Sequence, residues 1–186
     1  MTFRLFGCRI TISPLFMGVV TLLLFIDTTG MMGYLLLSIL LHEGGHLLFM
    51  GCFGCMPKAM ELKLFEVNLV SNHQTIAWWR QGLISSAGVL VNLLVAAITG
   101  GEMRQVNLGL ALFNCLPIFS MDGYQLLVLV CCRFCGLQRV PFVISVITVL
   151  LLGGVGIWLF FAGGNPLLLL FCLYMAFLQI REQRRS

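Results

Sequence analysis

Long apolar runs separated by short polar turns set the pattern of this chain. Six runs reach or approach spanning length, at about 13–28, 31–50, 82–99, 105–130, 140–161 and 166–180, against roughly 20 residues for a helix that crosses a bilayer. The first and last fall short, so tilt or flanking residues must make up the difference. The turns at 27–30, 100–104 and 162–165 are brief enough to predict antiparallel hairpins between neighbouring helices. Only the connection 51–81 is sizeable, and its period changes: Met60, Leu62 and Leu64 alternate with Glu61 and Lys63, and Val67 and Leu69 continue in the same style. A period of two predicts a half-buried strand or hairpin within 58–69. Such a ribbon either offers an edge to an extended peptide or shields the loop.

Composition turns this pattern into an all-α polytopic membrane protein. Hydrophobic residues make up 60% of the chain and charged ones 10%, where soluble domains carry about 25% charge. So little charge cannot cover the apolar surface of a soluble fold of this size. Sidedness follows from the 11 Lys and Arg residues. Arg4 and Arg9, then Lys58, Lys63 and Arg80, then Arg133 and Arg139, then Arg181, Arg184 and Arg185 all fall on one side of the predicted spans. Only Arg104 falls on the other. The positive-inside rule therefore places both termini in the cytoplasm. A cleaved signal peptide is the alternative for the first run, but Asp27-Thr28-Thr29-Gly30 lacks the small-x-small pattern of a cleavage site. The chain reads as one membrane-embedded domain over 1–186, with no appended soluble domain.

Chemistry concentrates in the second run, at His42-Glu43-Gly44-Gly45-His46. Histidines at i and i+4 lie one turn apart on one helix face, so both imidazoles can reach one ion. Glu43 can then serve as general base for a water activated there. A charged group in an apolar helix costs about 2.5–3.5 kcal/mol on insertion scales, so such residues are functional by default. The alternative is that they only hydrogen-bond to neighbouring helices. Catalytic zinc usually takes three protein ligands, which calls for one more. His73 lies in the cytoplasmic loop, whereas Asp122 is the other acidic residue inside a run. Both the histidine pair and Asp122 fall on the order of 6–12 Å below the cytoplasmic end of their runs, at 1.5 Å per residue, so depth favours Asp122. Pro117 and Gly123 beside it predict an interrupted helix, tolerated at membrane depth where the backbone lines protein or a wet cavity. Cys52-x-x-Cys55 and Cys132-x-x-Cys135 allow a shared four-cysteine metal site or a redox pair. The reducing cytosol disfavours a structural disulfide, and cysteine also serves as a small apolar filler.

These motifs carry a family resemblance. His42-Glu43-x-x-His46, Ala87-Gly88-Val89-Leu90-Val91-Asn92 and Asn114-x-x-Pro117-x-x-x-x-Asp122-Gly123 together resemble the site-2 protease family of intramembrane metalloproteases. The resemblance implies about six transmembrane helices with a three-helix catalytic core. It also implies zinc on His42, His46 and Asp122, Glu43 as general base, and Asn92 and Asn114 holding the substrate backbone or its developing oxyanion. The short basic start, six runs and Arg-rich end are most similar to the sporulation branch of that family, whose substrate is a membrane-associated sigma-factor precursor. Membrane inhibitor proteins are implied partners; nucleic acid is not. Val89 stands in place of a proline of the pattern and Ser120 in place of a second one, which makes the backbone less obligately broken. The absence of a regulatory domain predicts no nucleotide sensing. Two other readings are an inactive scaffold of the same family, which intact Glu43 opposes, and a metal or proton transporter. The transporter would need polar residues in series toward the outer face, where Asp27 and Glu102 lie only in turns.

Overall fold

The computed structural model describes residues 2–5, 8–57, 59–63, 66–70, 76–119, 121–135, 140–163 and 166–183. They form two compact units, Met1–Asn114 and Cys115–Ser186. The first runs β1 (Thr2–Leu5), β2 (Cys8–Ile12), α1 (Pro14–Ile26), α2 (Met31–Cys52), β3 (Ala59–Lys63), β4 (Glu66–Val70), α3 (Trp78–Ile98) and α4 (Gly101–Asn114). The second holds α5 (Asp122–Cys135), α6 (Val140–Gly163) and α7 (Pro166–Gln183).

The strands form one sheet in the order β1-β2-β3-β4. Antiparallel pairs join β1 to β2 and β3 to β4, and β2 lies parallel to β3 with Ile10 opposite Met60. A parallel pair needs a long crossover, and here α1 and α2 supply it. The predicted ribbon 58–69 contains β3 and the start of β4, while Lys58, Leu64 and Phe65 lie outside the described residues. The strands β1 and β2 add to what the sequence predicts. Their signal is the alternation of Phe3 with Arg4 and of Ile10 and Ile12 with Thr11, in a stretch that otherwise has the look of a basic flank to the first run.

Within the first unit α2, α3 and α4 pack on one another. What they bury is mostly small or polar: Ser38, His42, Gly45 and His46 on α2; Ser85, Ala87, Gly88, Asn92 and Ala96 on α3, beside Ile84 and Val89; Asn107 and Ala111 on α4. Large apolar side chains point outward instead, with Phe25 88% exposed and Leu40 68%. That inversion of the soluble pattern is the mark of helices packed in lipid, where small residues let backbones approach. Among the described residues three helices, α2, α3 and α6, are long and apolar enough to cross a membrane, and α1 and the stretch Leu169–Arg181 are shorter apolar helices. The chain is an integral membrane protein.

Two boundaries differ from expectation. The helix α3 begins at Trp78, so Trp79 and Arg80 belong to its first turn, with the Arg80 guanidinium 5.1 Å from the Trp79 ring and 5.6 Å from that of Phe53. The run 105–130 is two helices, α4 and α5, with 115–119 and Met121 non-helical between them. Proline lacks the N–H a helix needs and disfavours the helical conformation before it, so α4 ends three residues ahead of Pro117. In the second unit α6 and α7 pair closely, because a Cβ at Gly156 would lie 2.9 Å from Cys172 Cβ.

Entry into α2, the histidine-bearing helix, is organised by Asp27. Its Oδ2 accepts from Met32 N at 2.8 Å, and its Oδ1 accepts from the Thr29 hydroxyl at 2.7 Å and from Thr29 N at 3.0 Å. These bonds, the Thr29 hydroxyl foremost and then the Met32 amide, hold the carboxyl below its ordinary value of 3.8. A depressed folded pKa means that the cap contributes fully above the ordinary carboxylate range and is lost as pH falls through the lowered value. Asp27→Ala should therefore reduce amide-exchange protection in the first turn of α2 at neutral pH. Wild type should lose the same protection only in acid, below the ordinary range, as protection factors across a pH series would read.

Candidate metal centre

One face of α2 carries Ser38, His42, Gly45 and His46, at the spacing that keeps side chains on a single stripe. The stripe meets α3 at its smallest residues. A Cβ at Gly45 would lie 2.8 Å from Val91 Cγ2 and 3.0 Å from Ala87 O. At Gly88 a Cβ would come within 2.6 Å of both imidazoles. Glycine at 88 thus makes the space that the two histidine rings occupy.

The orientation of the His46 ring is set by the backbone. His46 Nδ1 sits 2.7 Å from the carbonyl oxygen of Ile84, and a carbonyl can only accept, so the proton belongs on Nδ1. The neutral ring then presents a lone pair at Nε2, the arrangement that a backbone carbonyl imposes on metal-binding histidines. His42 Nε2 lies 3.2 Å from His46 Nε2, with the rings edge to face. Two nitrogens on a tetrahedral zinc, each about 2.0–2.1 Å from the ion, stand roughly 3.3 Å apart. The pair therefore fits zinc. Both rings are buried, whereas Glu43 beside them is half-buried and Gly44 is exposed.

Asp122 opens α5 in the second unit and is buried. Non-helical backbone at 115–119 and Met121 precedes it, and a side chain at Gly123 would overlap the Cys115 carbonyl. A carboxylate in the first turn also suits the positive end of the helix dipole.

The two asparagines differ. Asn92 on α3 is fully buried, and neither its Oδ1 nor its Nδ2 has a hydrogen-bond partner among the described residues. Buried polar atoms are almost always satisfied, so Asn92 has the character of a group reserved for something that binds. Asn114, half-buried at the end of α4, spends its amide on its own helix, donating to Leu110 O at 3.0 Å. Val89 is buried within an uninterrupted α3, so the third run shows no break where it stands in place of proline. Ser120 and His73 lie outside the described residues. Of the cysteines, Cys52 and Cys132 are exposed, and Cys55 Sγ donates to Met50 O at 3.4 Å.

A polar pair that motif spacing does not single out lies one turn before His42. Asn107 Nδ2 donates to Ser38 Oγ at 2.9 Å and to Met103 O at 2.8 Å, and Ser38 Oγ donates to Tyr34 O at 2.7 Å. The bond ties α4 to the histidine face of α2. The sequence does hold a signal for it, since Ser38 is i−4 to His42.

The adjacent glycines of the motif should respond oppositely to alanine. A Cβ at Gly44 would meet nothing within 4 Å, so Gly44→Ala should stabilise the helix by about 0.5–1 kcal/mol. Gly45→Ala overpacks against Val91 and the Ala87 carbonyl and should cost about 1–3 kcal/mol. Unfolding in mixed micelles would measure both.

No family model matches the sequence, and no curated protein matches it. Among solved structures the chain is similar to the Site-2 protease from Methanocaldococcus jannaschii, with a TM-score of 0.69 and 20% identity over 98% of this chain and 94% of that one. The likeness spans nearly the full length of both chains, and at this identity it is a likeness of fold.

Proposed function

We propose that this protein is an intramembrane zinc metalloendopeptidase. It hydrolyses a peptide bond in or near the membrane segment of a proprotein, with a sporulation sigma-factor precursor as the substrate that the motif resemblance favours. The observation that carries the reading is the histidine pair, with the Nε2 atoms 3.2 Å apart and His46 turned by the Ile84 carbonyl to present its lone pair. The fold likeness to a Site-2 protease supports it.

In this reading His42, His46 and Asp122 hold the ion, the ligand set that the motif resemblance implies. Zinc held there supplies Lewis acidity, polarising a peptide carbonyl and making a water acidic enough to attack near neutral pH. Glu43 takes the proton from the attacking water and passes it to the leaving amine. Asn92, with its amide uncommitted, binds the substrate carbonyl or backbone, and Asn114 contributes its side-chain oxygen. A membrane helix satisfies its own backbone, so the substrate must unwind before its carbonyl is reachable. The strand β4 is at one edge of the sheet, which supports capture of the unwound segment by edge pairing. The distribution of basic residues supports cytoplasmic termini and a site open to the cytoplasmic side.

Zinc content and cleavage in detergent test this directly, with wild type, Glu43→Gln and Asp122→Ala set against a panel of membrane-associated proproteins that includes a pro-sigma factor. Glu43→Gln should keep one zinc per chain and lose cleavage, by on the order of 10²–10⁴-fold for a removed general base. Asp122→Ala should bind zinc more weakly. Cleavage by Glu43→Gln at the wild-type rate would refute the assignment.

A further inference from the structure

The non-helical stretch 115–119 creates a problem that its own sequence does not solve. Its backbone groups have left the helical ladder, and the surrounding surface is apolar, so water is a poor partner for them. Within the second unit the solution comes from α6 and α7. The Phe119 N–H donates to Gln179 Oε1 at 2.6 Å, and the Thr148 hydroxyl donates toward Pro117 O at 2.6 Å and Ile144 O at 2.8 Å. Gln179 is itself held, since its Nε2 donates to Ser145 Oγ at 2.9 Å. Gln179, Thr148 and Ser145 are exposed by 1%, 2% and 3%, so each is a neutral polar group carried into an apolar hairpin and matched to a specific partner. Met121 N closes the turn onto Ile118 O at 3.0 Å, and Asp122 follows as the first residue of α5.

We propose that Gln179, Ser145 and Thr148 are positioning residues, which fix the backbone of 117–119 so that Asp122 is presented to the metal. The inference rests on the reading of Asp122 as a ligand, but its structural half stands apart from it. Bonds two residues apart, one to the Phe119 N–H and one to the Pro117 C=O, leave the segment neither free to rewind into a continuous helix nor free to drift. The C-terminal hairpin is thereby part of the site's construction as well as a membrane anchor. Groups hydrogen-bonded to a ligand itself typically alter metal affinity by about 10–100-fold when removed, which sets the scale for a clamp on the backbone that leads into one.

The test uses full-length protein in micelles, with Gln179→Met and Thr148→Val as near-isosteric losses of the polar group and Thr148→Ser as the variant that keeps the hydroxyl. Amide exchange on metal-free protein reads the clamp. The Phe119 amide should exchange at least about tenfold faster in Gln179→Met, while α2 and α3 keep wild-type protection and so report an intact fold. Zinc affinity by chelator competition reads the consequence. It should weaken about 10–100-fold in Gln179→Met and Thr148→Val and stay at the wild-type value in Thr148→Ser. Unchanged exchange at Phe119 would overturn the clamp, and faster exchange with unchanged zinc affinity would overturn the positioning role. Failure of the metal reading looks different: wild type and Asp122→Ala would then be equally without zinc, and the positioning role would fall whatever the exchange shows.

Discussion

Helices that expose apolar side chains on nearly every outward face have no water at hand for a polar atom inside. Each polar group they carry must then find its partner within the chain, and an unmatched one costs several kcal/mol in hydrocarbon. Several buried polar residues among the described ones follow that constraint. His46 is bound to the Ile84 carbonyl, Ser38 to Tyr34 and Asn107, Gln179 to Phe119 and Ser145, and Thr148 to Pro117 and Ile144. Asn107 satisfies only its Nδ2, and Asn92 departs furthest, with neither side-chain atom paired among the described residues. The departure sits one turn along α3 from Gly88, the residue that makes room for the histidine rings.

The same constraint explains why glycine recurs in two roles. At Gly45 and Gly88 the missing side chain lets α2 and α3 close on each other and on the imidazoles. At Gly123 it lets the start of α5 lie against the carbonyl of Cys115. Proline does the complementary work at 117, where it stops α4 and leaves a carbonyl for Thr148 to bind.

Much of this is legible in the sequence, for reasons that differ by element. Apolar runs of spanning length announce α2, α3 and α6 because composition alone decides them. The i, i+4 histidines announce a shared helix face because the helical period is rigid. The pair β1 and β2 is harder to see because Arg4 and Arg9 look like the flank of a membrane span, although the alternation around them is that of strands. Charged residues also draw attention from the neutral ones: Ser38, Asn107, Thr148 and Gln179 each interrupt an apolar run, and each bridges two segments. Their partners cannot be read from one sequence, since those bonds span 31 to 69 residues of chain.

Together these features describe a membrane protein that devotes its buried polarity to two tasks, holding a histidine pair and shaping the backbone that leads into Asp122. The central claim is that the resident metal sits on imidazole nitrogen and carboxylate oxygen. X-ray absorption on zinc-loaded protein reads that shell directly. The account predicts only light scatterers at about 2.0–2.2 Å, with the multiple-scattering signature of two imidazoles. Sulfur at about 2.3 Å would contradict it and move the metal to the cysteine pairs.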